Sequence, residues 1–250
     1  MKIIVTEDYS HLSEVAAGII AKVVLEKPDA VLGLATGTSP IGTYKKLIDF
    51  YNNKLVSFKN VHTVNLDEYV GLAEEHEQSY HYFMHDILFD HIDIKLENIH
   101  IPCGLGDDLD ANCREYEMIL SEHPRDIQLL GIGSNGHIGF NEPHTPFKSF
   151  THIVELTERT RHDNARLFGF GDSVPKQAIT MGIVGICHAK KILILASGAG
   201  KADAVHDMVC GDISEHCPAS ILQLHNDATL VVDKQAAARL DEKILIQSVR

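Results

Sequence analysis

Several things are scarce in this chain, and each scarcity narrows the reading. Basic residues are outnumbered: 22 Lys and Arg face 35 Asp and Glu, a formal net charge of −13 over 250 residues. A surface so charged repels nucleic acid and anionic lipid, so neither is expected as a partner. An anionic small molecule can still bind if local donors hold it. No apolar run approaches the roughly 20 residues that span a bilayer. The opening Met1-Lys2-Ile3-Ile4-Val5 enters a strand-like pattern without a signal h-region, which makes the cytoplasm the expected compartment. Cys103, Cys113, Cys187, Cys210 and Cys217 form no Cys-x-x-Cys pair and are expected as free, buried thiols in a reducing environment. Internal repeats, linkers and low-complexity tracts are also missing.

What is present is the composition of one large globular domain over residues 1–250, 44% hydrophobic and 23% charged. A chain of this size buries about 70–75% of its unfolded surface, enough for a sheet covered on both faces. Histidine is abundant, at 16 residues. Of these, His81 and His85 alone show ligand spacing, at i,i+4 on a helical pattern. They lack the Glu of a zinc-protease motif, and no metal is expected.

Strand and helix patterns alternate along the chain. Lys2–Thr6, Ala30–Ala35, Val61–Leu66, Asp126–Ile132, Lys191–Ala196 and Thr229–Val232 read as strands. Leu12–Leu25, Pro40–Tyr51, Tyr80–His91, Ala111–Ser121 and about Gly200–Val209 carry helical spacing. Apolar strands separated by helices predict a Rossmann-like α/β fold, an open, mostly parallel sheet with helices on both faces. Pro143–Lys176 is the least regular stretch. Ligands of such sheets bind beyond the carboxyl ends of the strands, so the strand-to-helix turns are where chemistry is to be sought.

Four of those turns stand out. In Thr36-Gly37-Thr38-Ser39-Pro40, Thr38 and Ser39 suit an N-cap and Pro40 the first helical position. The backbone N–H groups of such a turn suit an anion, and Gly37 lets it approach. In Asp67-Glu68-Tyr69 two acids follow a buried strand; strand alternation sends them to opposite sides, so at most one faces a given cleft. A partly desolvated carboxylate there is a plausible general base. The run Gly131-Ile132-Gly133-Ser134-Asn135-Gly136-His137 meets the dinucleotide spacing, but it continues into Ile138-Gly139-Phe140-Asn141-Glu142-Pro143, which is poor helix material. It reads instead as a glycine-rich turn presenting Asn135, His137 and Glu142, with the carboxylate able to orient a histidine that titrates near neutrality. Ser197-Gly198-Ala199-Gly200-Lys201 is no Walker loop, since Ala202 stands where Ser or Thr is required. Lys201 can still place a positive charge beside a phosphate.

Together these turns resemble the glucosamine-6-phosphate deaminase family. The resemblance rests on Leu66-Asp67-Glu68-Tyr69-Val70-Gly71-Leu72 and on the run from Gly133 to Pro143, with Asn164-Ala165-Arg166-Leu167-Phe168 in matching order. It implies conversion of glucosamine 6-phosphate and water to fructose 6-phosphate and ammonia, with no cofactor. It also implies roles: His137 opens the sugar ring with Glu142 orienting it, and Asp67 moves a proton between the second and first carbons. The Thr36–Ser39 turn, Arg166 and Lys201 hold the phosphate. Because Arg166 lies just after the irregular Pro143–His162 stretch, part of residues 150–176 is expected to form a lid closing over the sugar. Some relatives carry Asp where this chain has Asn135, which is expected to hold the imidazole by hydrogen bonding. Relatives activated by an acetylated sugar phosphate have basic residues where His152 and Val154 stand here, so that activation is expected to be absent and the chain to be a monomer. The alternatives are a 6-phosphogluconolactonase, whose histidine would activate water against an ester, and a non-catalytic sugar-phosphate sensor.

Overall fold

The computed structural model describes residues 1–158, 161 and 174–241. Its frame is a seven-stranded sheet in which every pairing is parallel. In chain order its strands are β1 (Lys2–Thr6), β2 (Val31–Leu34), β3 (His62–Asn65), β5 (Ile99–His100), β6 (Ile127–Gly131), β9 (Ile192–Ala196) and β10 (Ala228–Asp233). Their order across the sheet is β1-β10-β9-β6-β2-β3-β5. From β2 the chain winds outward to β3 and β5, then returns to the other side of β2 as β6. The crevice at the carboxyl ends of β2 and β6 is therefore a topological switch point, the usual ligand site of open parallel sheets.

Side-chain alternation along the central strands builds two cores. Ile192 and Ile194 of β9 join Leu130, Val64 and Val232 on one face, while Leu193 and Leu195 join Leu32, Leu129 and Val231 on the other. Helix α1 (Tyr9–Glu26) opens with Asp8 accepting the His11 N–H at 2.8 Å and buries Leu12, Ala16, Ile20 and Val24 against the second core. It packs beside α2 (Ile41–Asn52), which contributes Tyr44 and Leu47. The first core is covered in part by α4 (Leu109–Glu122), through Tyr116 and Leu120, by the short α5 (Ile183–Cys187) and by α6 (Ala202–Cys210).

A second sheet is absent from the sequence reading. Strands β4 (Asp67–Tyr69), β7 (His152–Glu155) and β8 (Gln177–Thr180) form an antiparallel sheet in the order β4-β8-β7. It takes β7 from within the irregular Pro143–Lys176 stretch and β8 from just after it, and packs on Tyr69, Phe140, Leu156 and Ala178. Other corrections are local. The helix expected over Tyr80–His91 ends at Ile87 as α3 and continues as a 3-10 turn over Phe89–His91. Helix α2 starts one residue after the expected Pro40, and no side chain of Thr38 or Ser39 caps it. The cap comes from α1 instead: the Tyr9 hydroxyl accepts the Gly42 N–H at 2.8 Å and faces the Thr38 and Ser39 carbonyls at 3.0 and 3.1 Å. All five cysteines are free, but Cys103 and Cys210 are exposed and Cys113 alone is buried. No helix among the described residues is long and apolar enough to cross a membrane.

Candidate active site

A cleft of about 870 Å³ opens at the switch point. Pockets of roughly 300–1,000 Å³ hold small ligands, so it has room for a hexose phosphate. Its walls come from the turns that follow β2, β3, β6 and β9, and they include Thr36, Gly37, Thr38, Ser39, Asp67, His137 and Lys201. Asn135 and Glu142 stand behind His137 rather than on the cleft surface. Arg166 and most of the lid segment lie outside the described residues.

The Asp67-Glu68 pair divides as strand alternation requires. Asp67 lines the cleft and is 5% exposed. Burial raises its carboxyl to about 8, and the neighbouring Glu68 carboxylate pushes the same way. Glu68 turns away and accepts the backbone N–H groups of Tyr69, Tyr80 and His81 at 2.7–3.0 Å. Two of those donors open α3, so the buried carboxylate also faces the positive end of that helix. The result is to seat Tyr80 on the cleft wall, with its ring centroid 4.8 Å from that of Tyr69.

His137 sits on the β6 turn because Gly133 makes room for it. A Cβ on Gly133 would lie 2.3 Å from the imidazole, inside contact distance. Behind the ring, Glu142 is buried and its Oε2 accepts the Asn135 Nδ2–H at 2.8 Å. The same oxygen is 3.6 Å from His137 Nδ1, an ion-pair separation that is too long for a hydrogen bond. Asn135 was expected to hold the imidazole. Its Oδ1 instead accepts the backbone N–H of His137 at 3.2 Å, so it fixes the loop and the carboxylate rather than the ring. Asn141 is fully buried and ties the same loop down by donating to the Ile138 and Met181 carbonyls, each at 2.9 Å.

The anion-facing side is built from two turns. Gly37, at φ +83°, has open space where a Cβ would be, which leaves backbone accessible from the cleft. Across from it, Asp233 at the end of β10 accepts the Ser197 hydroxyl at 2.5 Å and the Gly198 N–H at 2.9 Å, shaping the turn that carries Lys201. Asp233, Tyr9 and Tyr80 were missed in the sequence. They lie far along the chain from the turns they serve and belong to no motif. The His81 and His85 pair does not converge: His81 Nδ1 lies 3.1 Å from Glu68, and His85 Nδ1 lies 2.8 Å from Asp90.

In chemical terms the cleft offers a buried carboxyl on one wall, a histidine backed by a carboxylate on another, and an anion-compatible end. That is the equipment for moving protons on a phosphorylated small molecule. Known proteins point the same way. The profile of the family described as glucosamine-6-phosphate isomerases/6-phosphogluconolactonase matches residues 7–231. The glucosamine-6-phosphate deaminase 1 of Bacillus subtilis (strain 168) is 54% identical over 239 residues, 95% of this chain and 99% of that one. The glucosamine-6-phosphate deaminase of Thermoanaerobacter sp. (strain X514) is 49% identical over 246 residues, covering 98% and 97%. The solved structure of a monomeric glucosamine-6-phosphate deaminase superposes with a TM-score of 0.93 at 54% identity, over 95% of this chain and 99% of that one. A 6-phosphogluconolactonase from Trypanosoma brucei has a TM-score of 0.77 at 19% identity over 96% and 98%, a likeness of fold alone. With its cleft at the family's switch point and half-identical relatives along nearly its whole length, the chain belongs to the glucosamine-6-phosphate isomerase/6-phosphogluconolactonase family.

Proposed function

We propose that this chain is a glucosamine-6-phosphate deaminase, releasing ammonia and fructose 6-phosphate from glucosamine 6-phosphate and water. The observation that carries the reading is the buried Asp67 carboxyl facing the same cleft as His137, on a strand end separate from the histidine's turn. Aldose–ketose chemistry needs two such groups, one over the sugar's C–H and one at the ring oxygen. The phosphate docks on the Thr36–Ser39 turn with Lys201, and with Arg166 as second counter-charge on the family resemblance. Anchoring that end holds the reacting carbons in place, an orientation effect worth several kcal/mol. His137, steadied by Glu142 and Asn135, shuttles the proton that opens the pyranose ring. Asp67 then takes the proton from the second carbon and returns it to the first, leaving an imine at the second carbon. Water adds there, ammonia departs, and the ketose remains.

A protonated amine beside Asp67 explains how a carboxyl raised to about 8 serves as a base. The substrate's positive charge lowers the carboxyl toward ionisation once bound. Each step is a proton transfer or an addition of water, so the chemistry asks for no metal or redox cofactor. The protein works as a cytoplasmic monomer in this reading. Incubation with glucosamine 6-phosphate in the presence of chelator tests it: ammonia and fructose 6-phosphate in equal amounts are expected. Hydrolysis of 6-phosphogluconolactone in their place would make the chain a lactonase.

A further inference from the structure

Away from the cleft, at the β5 edge of the large sheet, three histidines meet that are far apart in sequence. His62 opens β3, His100 ends β5, and His123 is the C-cap residue of α4. Their side chains pack ring on ring, with centroids 4.3 Å apart for His100–His123, 5.0 Å for His62–His123 and 6.2 Å for His62–His100. One ring nitrogen from each lies within 4.8 Å of the others. His62 Nδ1 and His100 Nε2 are buried without a hydrogen-bond partner. Leaving two buried imidazole nitrogens unpaired is costly, and a shared ligand would satisfy both.

We propose that His62, His100 and His123 form a structural site for a divalent transition-metal ion, with Zn²⁺ as the ion best matched to it. Three neutral imidazoles suit borderline ions such as zinc, and in a tetrahedral site a water or a nearby carboxylate completes the set. Asp29 acts electrostatically on His62 and Glu122 on His100, and both favour a cation there, while Lys95, and the neighbouring histidines when protonated, oppose it. The site also sits at the carbonyl end of α4, where the helix dipole favours positive charge. Binding requires the stacked rings to turn until their lone pairs meet at one point, closing the spread of up to 4.8 Å for zinc–nitrogen bonds of about 2.0–2.1 Å. None of the three lines the cleft, so the ion would act as a clamp. It would add a link between the end of α4 and the two-residue edge strand β5, which pairs with β3.

The test is metal binding by the intact, metal-stripped protein. One equivalent of Co²⁺, as a spectroscopic stand-in for Zn²⁺, is expected to give the visible absorption of a tetrahedral nitrogen site, displaced by Zn²⁺. Zinc is expected to raise Tm and chelator to reverse the rise. His123→Ala, at a half-buried helix end, is expected to weaken binding at least tenfold and abolish the Tm response while leaving turnover of glucosamine 6-phosphate unchanged. His137→Ala should leave the metal signals intact. Absence of stoichiometric binding overturns the proposal. So does binding that survives His123→Ala or is lost with His137→Ala, because the ion would then sit elsewhere.

Discussion

At the residue scale the account turns on Asp67. A carboxyl held at about 8 by burial binds its proton in the folded state over a pH range in which the unfolded chain has released it. Stability from this group is therefore fully present below about pH 4 and is lost as pH rises through about 8. Asp67→Asn removes that dependence. Its Tm is expected to exceed the parent's by a margin that widens between pH 5 and 8 and reaches at least ~3 °C, the shift that about 1 kcal/mol produces in a domain of this size. Thermal melts across that range measure it; a constant difference would mean that Asp67 is not desolvated. The same variant is expected to lose at least about 100-fold in kcat, the usual contribution of a positioned base. That at most one of Asp67 and Glu68 faces the cleft was legible from alternation; which of them does was not. The role of Asn135 was not, because motif spacing places a side chain near a histidine without saying whether it meets the ring or the backbone.

At the scale of elements, the turns were readable and their supports were not. The Thr36–Ser39 turn announces itself through Gly37 and Pro40, but the group that caps α2 is Tyr9, from a helix entered some thirty residues earlier. Tyr9→Phe is expected to cost about 1 kcal/mol of stability, as loss of a helix cap does. It is also expected to raise KM several-fold with little change in kcat, since a loosened phosphate turn weakens binding before and during reaction alike. Steady-state kinetics and a denaturant melt measure both; an unchanged KM would detach the turn from the phosphate. Gly133 makes a sharper case. Gly133→Ala puts a methyl group into the His137 ring, so activity should fall at least tenfold while the sheet beneath stays folded. The antiparallel sheet of β4, β7 and β8 escaped notice because strands of three or four residues give alternation too little length to show.

For the whole molecule, the parallel fold followed from apolar strands alternating with helices, and the family from the Gly133–Pro143 run. The order of the strands did not follow, and that order is what sets the cleft at the β2–β6 switch point. It brings turns from four separate strands to one place, which no local pattern records. The proposed monomer should sediment as a single 27.7 kDa species at working concentrations. A larger species in equilibrium with it would shift attention to subunit contacts. Closure over residues 150–176 should appear as slowed hydrogen exchange there when glucosamine 6-phosphate binds, and unchanged exchange would remove the lid. The most direct measurement follows ammonia and fructose 6-phosphate together in a chelated reaction with glucosamine 6-phosphate, comparing the parent protein with Asp67→Asn. The account predicts equal release of both products by the parent and almost none by the variant. Equal release that persists in Asp67→Asn, or no release by the parent, would contradict it.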